Sequence, residues 1–94
     1  MKFEWDEAKR AKVLREHGLD FANVTRAFEG PMIDDRDESH SQSEERWRML
    51  AILDGDVIFV IYTATQDTIR LITARKATLR EAQLFFEECF GEPI

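Results

Sequence analysis

The 94 residues carry 13 lysines and arginines against 19 aspartates and glutamates, a net charge of −6. That length fits one domain over residues 1–94 with a single core, and that charge excludes a protein that coats nucleic acid indiscriminately. One cysteine excludes an internal disulfide framework and fits a reducing compartment.

Lys2 to Trp5 alternates polar and apolar and reads as a short strand. Asp6 is an N-cap for a helix over about Glu7–Glu16, stopped by Gly18. Its few apolar residues, mainly Ala8, Ala11 and Leu14, place it on the surface, with Lys9, Lys12 and Glu16 sharing one side. Asp20 caps a second helix over about Phe21–Phe28, ended by Gly30-Pro31. Met32-Ile33 offers the start of a strand. Asp34 to Glu45 has no apolar residue and reads as a long loop or hairpin of the kind that often carries function. Arg46 to Leu53 and Val57 to Thr63 are strands around an Asp54-Gly55 turn, and Ile69 to Ala74 returns beside them. Thr78 and Glu81 fit a capping box. The helix that follows bears a stripe of Leu79, Ala82, Phe85, Phe86, Cys89 and Phe90, stopped by Gly91 and Pro93. The order β-α-α-β-β-β-α with tight connections gives an α+β domain whose sheet is mainly antiparallel. Phe59, Ile61, Ile69, Leu71, Phe85, Phe86 and Phe90 are the expected core, and Cys89 is read as part of it. Met1 precedes charged residues rather than an apolar segment, and no apolar run is long enough to span a bilayer; the chain reads as cytoplasmic.

Charge is unevenly spread. Residues 31–56 carry a net −5, whereas residues 57–81 carry a net +2. Four cations, Arg70, Arg75, Lys76 and Arg80, surround the junction between the last strand and the last helix. Arg70 projects from a strand among apolar neighbours and needs a partner or an anion. Arg75 lies near a helix N-terminus, which itself favours anions. Two readings fit this pair: ion pairs to Glu81 or the acidic loop, or a clamp on phosphate. His17 is either a helix-end cation or a general acid–base group; Glu45 is either a strand-edge carboxylate or a base. Asp34, Asp35, Asp37 and Glu38 lack the spacing and glycine of a calcium loop, and His17 and His40 are too far apart in sequence to suggest a shared metal. No cofactor motif is present.

The set Phe3-x-Trp5-Asp6-x-x-Lys9, His17-Gly18-x-x-Phe21, Ala27-Phe28, Glu45-Arg46, Tyr62-Thr63 and Arg70-x-Ile72-x-x-Arg75-x-Ala77-Thr78-x-x-Glu81 resembles the BrnT toxin family, in order, from Phe3 to about Phe86. The resemblance implies a RelE-like fold and a metal-independent endoribonuclease of a type II toxin–antitoxin pair. It implies as partner a BrnA-like antitoxin with a ribbon-helix-helix domain, through which alone the pair would bind DNA. RNA cleavage through the 2′-hydroxyl needs a base, an acid and cations for the developing charge. Lys9, His17 and Glu45 are candidates for proton transfer and Arg70 and Arg75 for the phosphate, with Lys12, Lys76, Thr78 and Arg80 as further RNA contacts. Val13 and Glu16 depart from the family pattern, which carries Asn and Lys there. They favour the alternative of an interaction module of the same fold that has lost its activity.

Overall fold

A computed structural model describes residues 1–38 and 45–91. In chain order it contains β1 (Lys2–Trp5), α1 (Glu7–His17), α2 (Phe21–Val24), a 3₁₀ turn (Thr25–Glu29), β2 (Met32–Arg36), β3 (Arg46–Leu53), β4 (Asp56–Ala64), β5 (Thr68–Lys76) and α3 (Leu79–Phe90). The strands form one mixed sheet in the order β1-β5-β4-β3-β2. β1 joins β5 in parallel, and the other three pairings are antiparallel.

Alternation along the strands divides the sheet into two unlike faces. Met49, Ala51 and Leu53 of β3, Ile58, Val60 and Tyr62 of β4, and Ile69, Leu71 and Ala74 of β5 share one cluster with Val13 of α1 and with Phe21 and Val24 of α2. Phe3, Phe28 and Tyr62 extend it as a run of aromatic contacts with centroids 5.3 and 5.2 Å apart. α1 and α2 therefore cover this core face. Arg10 fixes their mutual angle by a fork of 2.8 and 3.0 Å bonds to Asp20, the α2 N-cap. Arg26 makes a similar fork to Asp54, tying the 3₁₀ turn to the β3–β4 hairpin. Asp54 and Gly55 both have positive φ there, 51° and 87°, as a twisted two-residue turn requires.

Several expectations need correction. The second helix is α-helical only through Val24 and tightens to 3₁₀ from Thr25. Thr25 Oγ1 donates to the Ala22 carbonyl at 2.9 Å, a back-bond that tends to bend a helix. Of the two readings of the polar stretch after Ile33, its start follows the hairpin and not the loop. Asp34, Asp35 and Arg36 continue β2 as an edge strand paired to β3, so the order gains a strand, β-α-α-β-β-β-β-α. Main-chain pairing and an ion pair between the facing residues Asp35 and Arg48 replace the missing apolar pattern. The remainder of that expected loop, with His40, falls on 39–44, outside the described residues, as does Pro93.

The expected core is also partly wrong. Ile69, Leu71 and Phe85 are buried, but Phe59, Ile61, Phe86 and Cys89 are only partly so, and Phe90 is 51 % exposed. Phe59 and Ile61 alternate with Ile58, Val60 and Tyr62, and so lie on the second face. α3 packs on that face, centred on Phe85. Its apolar stripe is wider than the strip of sheet it covers, and the side of the stripe bearing Leu79 and Phe90 stays open.

Candidate active site

β5 is two residues longer at its C-terminal end than the sequence suggests, and Arg75 belongs to it. Arg70 and Arg75 are five residues apart, an odd spacing that strict alternation would send to opposite faces. The register corrects this. Tyr62 faces Leu71 but Ile61 faces Thr73, which leaves Ile72 as an extra residue on β5. This bulge returns both arginines to the α3 side of the sheet, opposite Thr63 and Phe59 respectively.

Three successive rows of that face can be read across the strands. The first is Arg46, Thr63, Arg70 and Glu4; the second is Asp35, Arg48, Ile61 and Thr73; the third is Ile33, Leu50, Phe59 and Arg75. α3 covers the third row. An open groove of about 680 Å³ beside it is lined by Ile33, Leu50, Phe59 and Leu84, by Arg48, and by the carboxylates Asp34, Asp35, Glu81 and Glu88, among others.

The Arg75 guanidinium carbon lies over the Phe59 ring, 4.2 Å from its centroid, a cation–π arrangement. Its two terminal nitrogens donate to the Glu81 carboxylate at 2.8 and 3.0 Å, and one also donates to the Lys76 carbonyl. Glu81 in turn accepts from the Thr78 N–H at 2.9 Å, while its own N–H donates to Thr78 Oγ1, completing the capping box. The Arg75 bond is the main force that pulls the Glu81 carboxyl down to about 2, against the opposing effect of burial. An ionised carboxylate thus occupies the place at the helix start where an external phosphate would sit.

The other two rows repeat the pattern. Arg48 makes a fork to Asp35 with both bonds at 2.9 Å, which raises the guanidinium's affinity for its proton. Arg70 donates to Glu4 at 2.8 Å. Each pair remains partly open to solvent.

The remaining candidates are more scattered. Lys76 lies 3.8 Å from Asp56, Thr78 is the α3 N-cap, and Arg80 is exposed on the first turn of α3. Lys9, Lys12 and His17 are exposed on α1, the helix that packs on the core face. Glu45 is exposed just before β3, 3.7 Å from Arg36. No hydrogen bond or ion pair between described residues joins Lys9, His17 or Glu45 to Arg70 or Arg75. Arg46 and Arg48 share the face of Arg70 and Arg75, although the sequence reading does not single them out as site residues. Their signal was the Arg-Trp-Arg alternation at the start of β3, which puts both arginines on one face.

The family model described as "Ribonuclease toxin, BrnT, of type II toxin-antitoxin system" matches residues 5–81. The chain belongs to the BrnT ribonuclease toxin family. No sequence among the curated proteins matches it. Among solved structures it is similar to the crystal structure of the Brucella abortus ribonuclease toxin BrnT, with a TM-score of 0.67 and 27 % identity over 83 % of this chain and 97 % of that one. The matched segment takes in the arginines of all three rows and the β5–α3 junction, with Glu4 just outside it. Among the described residues no helix is long and apolar enough to cross a membrane.

Proposed function

We propose that the chain is a metal-independent endoribonuclease with a RelE-like fold, acting in the cytoplasm and held in check by a BrnA-like ribbon-helix-helix antitoxin. Family membership supports the reaction class. The single structural observation that carries the site is the Ile72 bulge, which turns Arg70 and Arg75 to one side of the sheet. In the reaction the 2′-hydroxyl loses its proton and attacks the adjacent phosphorus. The bond to the 5′-oxygen breaks, that oxygen takes up a proton, and a 2′,3′-cyclic phosphate and a 5′-hydroxyl remain. Arg70 and Arg75 stabilise the extra negative charge of the phosphorane. Phosphate reaches Arg75 by taking the place of the Glu81 carboxylate, with the Thr78 N–H behind it.

Lys9, His17 and Glu45 are the proton-transfer candidates. β1 pairs only with Thr68 to Leu71, so the outer edge of β5 beyond Leu71 is free of a strand, and α1 packs against β5. RNA crossing that edge would meet Arg75 on one side and Lys9, Lys12 and His17 on the other, with Lys76 and Arg80 flanking the path.

A second reading is favoured by one observation: Arg48, Arg70 and Arg75 each already hold a carboxylate of the chain, as in an inactive interaction module. Incubating the purified chain with RNA in the presence of a chelator and analysing the new ends separates the two. Cyclic phosphate and 5′-hydroxyl ends are expected. Intact RNA, together with normal growth on inducing the chain alone in a bacterium, would favour the interaction module.

A further inference from the structure

The three rows place four arginines around one patch. Arg46 and Arg48 rise from β3, Arg70 and Arg75 from β5, and Ile61 and Thr63 of β4 lie between them. Strands ~4.8 Å apart and ~6.7 Å between same-face residues along a strand put the four Cα atoms at the margins of an area roughly 10 by 13 Å. An extended arginine side chain from any of them spans much of that distance. The carboxylates paired across the same rows are Glu4, Asp35 and Glu81. Asp37 is buried beside Arg46, to whose carbonyl its N–H donates, and it also acts on Arg48, so four carboxylates meet the four arginines and a phosphate must displace one of them.

We propose that this patch is a seat for the RNA backbone and that Arg48 contacts a substrate phosphate, with Asp35 as the internal anion that the phosphate displaces. The inference rests on the ribonuclease reading above and extends it to β3. Three features point this way. Arg48 lies on the same face as Arg70 and Arg75, and it lines the same groove as Glu81, the partner of Arg75. Its fork already holds a planar two-oxygen anion, the geometry in which arginine also holds phosphate. The Arg48 side chain is 45 % exposed and that of Asp35 is 66 % exposed, so exchange requires no opening of the core. The bland account of the pair is a cross-strand contact that fixes the β2–β3 register. The two accounts differ in what loss of Asp35 does. A register contact would be weakened, with no consequence for RNA. A displaced stand-in would leave Arg48 free for phosphate and tighten RNA binding.

The test uses a labelled single-stranded RNA whose 2′-hydroxyls are methylated, so that it binds without being cut. Affinity is measured over a salt series for the intact chain and for Arg48→Ala, Arg48→Lys and Asp35→Asn, each checked for folding by circular dichroism. Arg48→Ala is expected to weaken binding and to reduce the steepness of the salt dependence by about 0.7, one phosphate contact on a single strand. Arg48→Lys should keep most of that steepness but bind less tightly, since it loses the fork. Asp35→Asn should bind more tightly than the intact chain. If Arg48→Ala fails to fold, the lysine and asparagine variants carry the decision. Unchanged affinity in Asp35→Asn, or an unchanged salt slope in a folded Arg48→Ala, overturns the inference. So does polyglutamate competing as well as RNA of equal charge, which would make the seat one for an acidic protein segment. Cleavage of unmodified RNA is assayed in parallel. Activity with an unchanged binding series sinks only this inference, whereas the expected binding series without cleavage sinks only the nuclease reading.

Discussion

The two faces of the sheet use the same strands for opposite purposes. On the core face, β3, β4 and β5 present Met49, Ala51, Ile58, Val60, Leu71 and Ala74, all at 1 % exposure or less. On the other face the alternating positions carry Arg46, Arg48, Arg70 and Arg75, with Phe59 and Ile61 between them. The period of two lets one stretch of backbone present a packed apolar face and a charged face without compromise between neighbouring residues. The lesson is that a strand residue here is judged by its face, and one bulge at Ile72 decides the face for Arg70.

The sharpest way to break this contrast is to remove one buried ring. Phe21 is fully buried under the core face, and Phe21→Ala is expected to cost about 3–5 kcal/mol of stability. Phe86→Ala, on the partly open side of α3, should cost clearly less. Urea denaturation of both variants checks this, and equal losses would mean that α3 is as much a part of the core as α2. On the other face Arg75→Ala should leave the fold intact yet lower RNA cleavage by about 10²–10³, the usual consequence of removing one electrostatic donor to a transition state. Arg75→Lys should recover only part, because a point charge cannot reproduce the fork. A folded Arg75→Ala that cuts RNA at the original rate would remove Arg75 from the site.

Val13 sharpens the same boundary. The family pattern has Asn there, and the resemblance alone suggests that Val13→Asn would restore activity. Val13 is in fact 4 % exposed within the core cluster. An amide buried there without a partner should destabilise by about 1–3 kcal/mol, seen as a lower denaturant midpoint. An unchanged midpoint would show that the site contains room and a hydrogen-bond partner for the amide.

The pH dependence provides a probe confined to the second face. Glu81 has its carboxyl lowered from 4.5 to about 2 in the folded chain. A depressed acid contributes its stabilisation fully above its unfolded value and loses it as pH falls through the folded one. Stability should therefore decline between about pH 4.5 and pH 2, and Glu81→Gln should flatten this part of the profile. Urea midpoints across that range measure it, and an identical slope in the variant would show that the Arg75–Glu81 fork is not maintained in solution.

Much of the fold could be read from local chemistry. Asp6, Asp20, Gly18, the Asp54-Gly55 turn and the Thr78–Glu81 capping box are all short-range signals, and each marks its element. What resisted reading was non-local. β2 has the sequence Met-Ile-Asp-Asp-Arg, and it is a strand because β3 lies beside it and supplies Arg48. β4 is apolar on both faces, so its sequence cannot say which side holds the main core. Arg70 and Arg75 were identified from charge and position, but their shared face depends on a register shift that no pattern in β5 announces. The α1 candidates were grouped with them by family resemblance, and the sheet lies between the two groups.

The smallest expected effect tests whether the two groups nevertheless meet at the open edge of β5. Glu16 is exposed on α1, four residues after Lys12 and on the same side of the helix. Replacing it by lysine, as the family pattern has, puts like charges at that spacing and should cost only about 0.2–0.5 kcal/mol of stability. Its effect on RNA is electrostatic and long-range. If RNA crosses the β5 edge towards α1, Glu16→Lys raises the local potential and increases the cleavage rate, more at low salt than at physiological ionic strength, where the screening length falls to about 8 Å. Initial rates at two ionic strengths, with Arg75→Ala as the blank, measure this. A rate that ignores Glu16→Lys at both salt concentrations, while still depending on Arg75, would confine RNA to the arginine face and remove Lys9, Lys12 and His17 from the site.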